Sequence, residues 1–179
     1  MDIFQIIEHF YKKDSKAYEV LITHSSLVAE KALHIAERFN LADKNFIYEA
    51  ALIHDIGMIK TNAPDLGCFG KHPYICHGIL GKEMLRSIGL NKHGLVCSRH
   101  TGTGISKEEI IKKKLPLPEK DFLPISIEEE IICYSDKFFS KDPLRIKKEK
   151  TYEQVIKEMA RFGKVHSEKI KNWHEQFEG

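Results

Sequence analysis

The amino-acid sequence predicts an all-α fold, a compact bundle of six or more helices in a single domain. Almost every periodic segment repeats its apolar residues at helical spacing, and no segment alternates over a useful strand length. At 179 residues, 42% apolar and 30% charged, the chain has the size and composition of one globular domain. No repeat or domain boundary is visible. We therefore expect one domain over residues 1–179, with a core at about 20–140 and C-terminal helices at 150–179 packed on it.

The N-terminal third divides into three helices. Residues 2–13 carry apolar side chains at i, i+3, i+4 and i+7, which is typical of an amphipathic helix, and residues 16–39 form a long second helix. Asp43 is the expected N-cap of a third helix that runs to His54. Gly57 is expected to end this helix and turn the chain away from it.

The middle of the chain alternates a loop with short helices. Residues 58–72 are rich in Gly, Pro, Asn and Asp and predict a loop. Pro73 suits the first turn of a helix that runs to about Ile88, where Gly89 ends it. A further short helix is expected from Lys92 to His100, before a loop with the sequence TGTG.

The last third is also helical. Ser106 opens a capping box, which predicts a short helix before a proline-punctuated extended connection. A helix is expected from Ile125 to Ser140, with three glutamates in its first turn, where negative charge suits the helix dipole. Pro143 separates it from the final helices, which run from about Tyr152 to the C-terminus. In the last of them Trp173 is expected to pack on the domain or on a second chain, so a homodimer stays open.

Composition and charge exclude several classes of protein. A net charge of +2 and a pI of about 8.2 are too mild to indicate nucleic-acid binding. No apolar run has transmembrane length, and the N-terminal residues do not resemble a signal peptide. We therefore expect a cytoplasmic protein whose four cysteines are reduced and serve as small buried hydrophobic residues.

Six ionisable residues stand out because each is embedded among apolar neighbours. They are His24, His54, Asp55, His77, His100 and Asp136. Any one of them alone is more often a satisfied core residue than a ligand. Six of them on five predicted helices can all point inward only if a central partner satisfies them. Imidazole and carboxylate ligands without thiolates suit a divalent metal such as Fe, Mn, Zn, Ni or Co.

With this set the sequence resembles the HD superfamily of metal-dependent phosphohydrolases, in the variant whose motif HDIG stands here at residues 54–57. The family pattern, with the two extra histidines of its two-metal branch, is matched in order by His24, His54, Asp55, His77, His100 and Asp136. The resemblance implies that a first metal is held by His24, His54, Asp55 and Asp136. It implies that His77 and His100 hold a second metal, with Asp55 bridging the two, and that Gly57 leaves room for substrate to enter.

The resemblance also implies a reaction. Two ions would activate a water molecule for attack on a phosphomonoester or phosphoanhydride, and the substrate would be a nucleotide or a related small molecule. Fe or Mn is the expected metal, with Zn, Ni, Co or Mg open. Two alternatives remain: a nucleotidase of the same family with one metal, and a non-catalytic module that senses a metal or a nucleotide. The complete ligand set argues against the sensor.

The chain departs from several branches of the superfamily. The Gly-Tyr-Pro signature of the cyclic-dinucleotide branch is replaced by RHTGTGIS at residues 99–106, and the acidic pair of the alarmone-hydrolysing branch is replaced by IGMI at 56–59. Both substrates are therefore disfavoured. Where many relatives have a lysine directly after HDIG, this chain has Met58, with Lys60 two positions later.

Beyond His54 and Asp55, the expected catalytic residues are cations that contact the substrate phosphate. We assign this role to Lys60 and Arg99, although Lys60 is equally compatible with a surface lysine. Lys137 and Arg145 are further candidates for the same role, and Lys137 is favoured over Arg145 because, like Arg99, it directly flanks a proposed ligand. A loop histidine at position 72 is expected to be exposed. The other histidines are expected to be surface or packing residues; they are His9, His34, His93, His166 and His174.

Overall fold

The structure, a computed structural model, describes residues 2–40 and 42–179; Met1 and Leu41, both within the predicted domain, lie outside the described residues. The described residues form nine α-helices and one two-stranded sheet, which confirms the all-α prediction. The α-helices are α1 (Ile3–Phe10), α2 (Lys16–Ala36), α3 (Lys44–Ile53), α4 (His77–Arg86), α5 (Asn91–Arg99), α6 (Lys107–Lys113), α7 (Ile127–Asp136), α8 (Tyr152–Ala160) and α9 (Lys164–Phe177).

Side-chain caps set the starts of the first three helices. Asp2 and Ser15 accept hydrogen bonds from backbone amides at the starts of α1 and α2. The predicted cap Asp43 is confirmed, because its Oδ1 accepts a hydrogen bond of 3.0 Å from the amide of Phe46. Such caps satisfy amides that have no partner within the helix, and they fix where each helix begins.

The segment predicted as a loop contains more structure than the sequence indicated. A 3-10 helix covers Ile56–Lys60, and strand β1 (Asn62–Ala63) pairs antiparallel with β2 (Cys68–Phe69). Gly67 forms the turn between the strands with a φ of +78°, in the left-handed region that glycine adopts readily. The segment is therefore a short hairpin anchored to the helical core.

Gly57 does not turn the chain away from the third helix, contrary to the prediction. Helix α3 already ends at Ile53, and Gly57 is buried in the 3-10 helix that follows. A Cβ atom on Gly57 would lie 2.1 Å from the carbonyl oxygen of His77 and 2.2 Å from the amide nitrogen of Gly81. Only glycine allows the backbone to lie this close to α4, so Gly57 fixes the start of α4 against the end of α3.

Helices α1, α2, α4 and α7 are all shorter than predicted. A 3-10 turn at Tyr74–Cys76 follows Pro73, so α4 starts at His77. Helix α7 starts only after Ser126, whose hydroxyl caps it, and ends at Asp136.

The helices pack in pairs around one large apolar core. Helix α2 lies against α3 and α7, α4 lies against α5, and α8 and α9 form a C-terminal pair. Trp173 and Phe177 on α9 are buried in this core, and the ring centroid of Phe177 lies 5.5 Å from that of Tyr134 on α7. The C-terminal helix therefore packs on the chain's own core, while the homodimer stays a prediction.

Two further expectations concern membranes and thiols. Among residues 2–40 and 42–179, no helix combines the length and the apolar character needed to cross a bilayer. All four cysteines are free thiols. Cys68, Cys97 and Cys133 are buried as expected, whereas Cys76 is only half-buried.

Candidate metal centre

Five α-helices bring the six candidate side chains to one point. The residues come from the middle of α2 (His24), the end of α3 (His54 and Asp55), the start of α4 (His77), the end of α5 (His100) and the last turn of α7 (Asp136). All six side chains are buried. They form two groups whose potential ligand atoms lie within 4.8 Å of one another: a first group of His24, His54, Asp55 and Asp136, and a second group of Asp55, His77 and His100.

Three of the histidines make the same backbone hydrogen bond. The Nδ1 atoms of His54, His77 and His100 lie 2.7, 2.7 and 2.8 Å from the carbonyl oxygen of the third residue before each of them. Because a carbonyl oxygen only accepts hydrogen bonds, each Nδ1 carries a proton, and each ring directs its Nε2 to the centre. Hydrogen bonds of this kind orient metal-binding histidines.

Asp55 lies between the two groups, with one carboxylate oxygen toward each. Its Oδ2 is 3.3 Å from His24 Nε2 and 3.1 Å from His54 Nε2. Its Oδ1 is 3.3 Å from His77 Nε2 and 3.3 Å from His100 Nε2. A carboxylate in this position can serve two ions at once, one through each oxygen.

The remaining contacts close each group. In the first group, Asp136 Oδ1 lies 2.9 Å from His24 Nε2 and 3.4 Å from His54 Nε2. In the second group, the Nε2 atoms of His77 and His100 lie 3.1 Å apart. The first group therefore contains two carboxylates, and the second shares only Asp55.

This difference in charge shifts the pKa values of the histidines in the two groups in opposite directions. Burial alone would lower the pKa of His54, but Asp55 and Asp136 outweigh burial and raise that pKa to about 9. Burial lowers the pKa of His77 to about 3 despite the nearby Asp55, and it also lowers the pKa of His100. At neutral pH and without a metal ion, His54 is therefore protonated, while His77 and His100 are neutral.

Two lysines lie against the carboxylates. Lys137 Nζ is 2.5 Å from Asp136 Oδ2 and donates a hydrogen bond of 3.0 Å to the carbonyl oxygen of His100. Lys141 Nζ is 2.7 Å from Asp55 Oδ2 and 3.9 Å from Asp136 Oδ1. Burial opposes ionisation of both aspartates, but these cations and the histidines lower both carboxyl pKa values well below their usual range. Burial would lower the pKa of Lys141, yet Asp55 raises it well above its usual value.

A cavity of about 630 Å³ opens beside the centre, with His77, Asp136, Lys137 and Lys141 in its wall. Its other walls come from several parts of the chain, represented by Tyr74, Thr101, Ile105, Lys113, Lys150, Met159, Phe162 and His166. The cavity wall thus combines charged side chains of the metal centre with apolar side chains from other segments. This combination suits a small molecule that carries both a phosphate and an apolar group.

The structure places the predicted cations differently from the six ligands. Lys60 is exposed at the end of the 3-10 helix, and Arg99 Nη1 lies 2.6 Å from Glu129 Oε1 in a largely buried ion pair. Neither residue lines the cavity. Arg145 is exposed and pairs with Asp142. A role for Lys60 or Arg99 at the substrate stays a prediction.

Sequence reasoning missed three residues of this region. Lys141 follows α7 in a segment without periodicity, so no pattern in the nearby sequence predicts its contact with Asp55. The ring of Tyr74 stacks on His77, with centroids 4.7 Å apart, in a segment predicted as the first turn of α4. His166 was assigned to surface or packing; it is buried, and its ring contacts Thr103 and Glu109 in the cavity wall.

Comparison with known proteins identifies one family over most of the chain. The sequence profile of the HD domain matches residues 21–140, a span that includes all six candidate ligands. The uncharacterized protein MJ0778 of Methanocaldococcus jannaschii is 39% identical over 127 residues, which are 66% of this chain and 65% of that protein.

Two further relatives are longer proteins. The tRNA (cytidine(56)-2'-O)-methyltransferases of Picrophilus torridus and Thermoplasma volcanium are 34% and 33% identical over 131 and 137 residues. These regions are 73% and 76% of this chain but only 34% and 36% of the methyltransferases. The chain therefore spans less than two thirds of each of these three relatives.

Solved structures show the same fold at low sequence identity. The HD domain of the L. monocytogenes phosphodiesterase PgpH superposes with a TM-score of 0.56 at 16% identity, covering 96% of this chain and 94% of that domain. The same domain in complex with cyclic-di-AMP gives a TM-score of 0.54 at 18% identity, with 96% and 92% covered. At this level of identity the likeness concerns the fold alone.

Proposed function

This chain belongs to the HD domain family, and we propose that it is a metal-dependent phosphohydrolase. The observation that carries the proposal is Asp55, a fully buried carboxylate that turns one oxygen toward each of two histidine groups. A buried carboxylate surrounded by four imidazoles is costly unless a further partner satisfies it. Divalent metal ions are the partner that this set of ligands suits.

Unsatisfied atoms in the centre support this interpretation. His54 Nε2 and both oxygens of Asp55 are buried and make no hydrogen bond of acceptable geometry to any described residue, although Lys141 Nζ lies 2.7 Å from Asp55 Oδ2. Two neutral rings also direct Nε2 lone pairs at each other in the His77–His100 pair. Lone pairs that converge in this way are unfavourable without a cation, so the residues present fit a metal.

We propose two ions, one in each group, with Asp55 shared between them. The first would be held by His24, His54, Asp55 and Asp136, and the second by Asp55, His77 and His100. When bound, such ions supply Lewis acidity toward a phosphoryl oxygen and a water molecule activated for attack. A ligand set of nitrogen and oxygen atoms favours Fe or Mn over a closed structural zinc site.

The remaining residues of the centre orient these ligands and bind the substrate. Lys137 holds Asp136 ionised and ties it to the end of α5. Tyr74 stacks on His77, and its carbonyl oxygen accepts the Nδ1 proton of that ring. Met159 and Phe162 add apolar surface to the cavity wall, against which an organic substituent can pack.

We infer that the substrate is a small phosphorylated molecule, and specifically a nucleotide. A cavity of about 630 Å³ lies within the range of small-molecule sites, and its lysines and apolar walls match a phosphate and a base. The PgpH domain, which shares the fold, is described in complex with cyclic-di-AMP, so this fold can hold a nucleotide. The reaction would be hydrolysis of a phosphomonoester or phosphoanhydride.

Two alternatives make different demands on the second group. In a nucleotidase with one metal, His77 and His100 would contact only substrate. In a sensor, metal or nucleotide would bind without turnover. The shared Asp55 favours the two-metal enzyme, because neither alternative requires both of its oxygens. A cytoplasmic location also stays a prediction.

Metal content and hydrolysis test the proposal together. Untagged protein purified without chelators is expected to contain about two equivalents of transition metal per chain and to hydrolyse an aryl phosphate with Mn²⁺ or Fe²⁺. Equal product release by the wild type and Asp55→Ala would contradict an enzyme. A chain that takes up no Mn²⁺ or Fe²⁺ would contradict the metal centre itself.

A further inference from the structure

Lys141 stands out among the cations of the cavity because of the oxygen atom it touches. Four lysines line the cavity: Lys113, Lys137, Lys141 and Lys150. Lys113 pairs with Glu109 at 2.6 Å, and Lys150 pairs with Glu158 at 2.6 Å and donates to the carbonyl oxygen of Lys137 at 3.3 Å, so neither pairs with a carboxylate of the metal groups. Lys141 instead pairs at 2.7 Å with Asp55 Oδ2, the oxygen that faces the first group.

An ammonium group and a metal ion cannot both occupy this position. Asp55 Oδ2 lies within 3.3 Å of His24 Nε2 and His54 Nε2, so an ion held by these atoms would approach the same oxygen. Lys141 Nζ also lies 3.9 Å from Asp136 Oδ1, the other carboxylate oxygen of the first group. Two cations at one carboxylate oxygen repel each other strongly in a buried site.

Charge balance explains why a lysine is placed there. The formal charges of the two carboxylates, Asp55 and Asp136, are offset by the two adjacent ammonium groups, Lys137 and Lys141, before the proton on His54 is counted. A bound divalent ion adds positive charge that the carboxylates alone no longer offset. The surplus is then available to an anion such as a phosphoryl group.

The two lysines differ in their freedom to move. Lys137 is held by hydrogen bonds to both Asp136 and the carbonyl oxygen of His100. Lys141 lies in the segment between α7 and α8, its side chain is 18% exposed, and it lines the cavity. When its carboxylate is taken by an ion, Lys141 has the cavity to move into.

We propose, on the basis of the proposed function, that Lys141 has two successive roles. In the metal-free chain its ammonium group occupies part of the first metal position and neutralises Asp55. When metal binds, Lys141 moves into the cavity and binds the phosphoryl group of the substrate. The same side chain thus competes with the metal and then helps to recognise the anion.

Metal-affinity measurements on uncharged variants test the first role. We compare Mn²⁺ binding by titration calorimetry in the metal-stripped wild type, Lys141→Met and the matched control Lys150→Met. Removing the competing cation is expected to tighten Mn²⁺ binding by about tenfold in Lys141→Met. Lys150→Met removes a cavity charge that is paired elsewhere, and it is expected to leave Mn²⁺ affinity unchanged.

Phosphate binding tests the second role. With Mn²⁺ saturating, inorganic phosphate is expected to bind Lys141→Met about tenfold more weakly than the wild type. Lys141→Arg keeps the charge and is expected to restore both values toward wild type. If Lys141→Met does not fold, Lys141→Gln is measured in its place, with circular dichroism to check the fold.

The outcomes separate this inference from the proposed function. Unchanged or weaker Mn²⁺ binding in Lys141→Met would overturn the competition, even if the wild type hydrolyses aryl phosphates. Tighter Mn²⁺ binding with unchanged phosphate affinity would overturn the second role. Tighter Mn²⁺ binding with weaker phosphate binding would support both roles, even if the wild type shows no turnover. A wild type that binds no Mn²⁺ would overturn both this inference and the metal centre.

Discussion

The two histidine groups share Asp55 but are prepared for a metal ion in different ways. The first group has two carboxylates, which raise the pKa of His54 to about 9 and keep a proton where an ion would bind. In the second group, burial lowers the pKa of His77 to about 3, so its imidazoles are already neutral. The comparison indicates that protons and Lys141 oppose metal binding at the first group, whereas the second offers neutral ligands with little charge to attract an ion.

The largest expected effect comes from the residue that the two groups share. Asp55→Asn removes the one carboxylate that both groups share, at almost constant volume, so we expect loss of both ions and a fall in activity on the order of a thousandfold or more. Elemental analysis and aryl phosphate hydrolysis measure the two effects. Asp65→Asn, an exposed position in the hairpin, is the matched control. Two retained ions in Asp55→Asn would show that Asp55 is not the bridge.

Removing one histidine from each group separates the two sites. His77→Ala is expected to reduce the metal content from about two equivalents to about one, because the second group keeps only Asp55 and His100. His24→Ala is expected to weaken the first site while its two carboxylates still attract an ion. Metal content after dialysis measures both. About one equivalent of metal in both the wild type and His77→Ala, with activity retained, would favour the one-metal nucleotidase.

Without metal, the two groups are expected to respond to pH in opposite ways. The folded-state pKa of His54, about 9, lies above the ordinary 6.5. The protonated ring therefore stabilises the folded state fully below pH 6.5, and this stabilisation is lost as the pH rises through 9. The folded-state pKa of His77, about 3, lies below 6.5, so stability falls as the pH drops from 6.5 toward 3.

Urea unfolding of the metal-stripped protein across this pH range measures both responses. His54→Gln is expected to flatten the alkaline side of the profile, and His77→Gln the acidic side. If the two variants give the same pH profile, the electrostatic contrast between the groups is wrong.

The six candidate ligands could be named from the sequence, because each is embedded among apolar neighbours and together they match an ordered family pattern; their binding of metal stays a prediction. The positions of these residues in the sequence did not reveal how closely the backbone segments around them pack together. The role of Gly57 depends on its distance to α4, a contact between segments that no local pattern encodes. The fold class followed from periodicity, whereas helix ends such as that of α7 depended on caps and tertiary contacts.

The residues that surround the ligands were also harder to predict, because their contacts join segments that are distant in sequence. Residues 58–72 and 101–126 both contribute to the cavity wall. The wall also includes Lys141 and His166, which arrive from segments distant in sequence. A lysine in an aperiodic segment carries no sign of the carboxylate it contacts, so only the folded chain places it.

A smaller effect is expected at Arg99, which lies next to the candidate ligand His100. The test is whether Arg99 only pairs with Glu129 or also contacts the substrate. Its ion pair with Glu129 is largely buried, so we expect Arg99→Gln to lower the free energy of unfolding by about 1–3 kcal/mol. Arg145→Gln, in an exposed pair, is expected to change it by less than about 0.5 kcal/mol. If Arg99→Gln raises the KM for aryl phosphate at least several-fold without loss of stability, the predicted contact of Arg99 with substrate is supported. Lys60→Ala is tested in the same assay.

The smallest expected effect is the absence of any difference between two unfolding midpoints. It tests whether both metal groups and α9 belong to one folding unit. Trp173 is the single tryptophan of the chain and is buried on α9, whereas the metal groups lie on α2–α5 and α7. If residues 1–179 form one domain, urea unfolding followed by Trp173 fluorescence and by far-UV circular dichroism should give the same midpoint. Separate midpoints would mean that α9 unfolds independently of the helices that carry the ligands. The cavity wall at His166, on the same helix, would then be lost while the two metal groups stay folded, and substrate binding and metal binding would respond differently to urea.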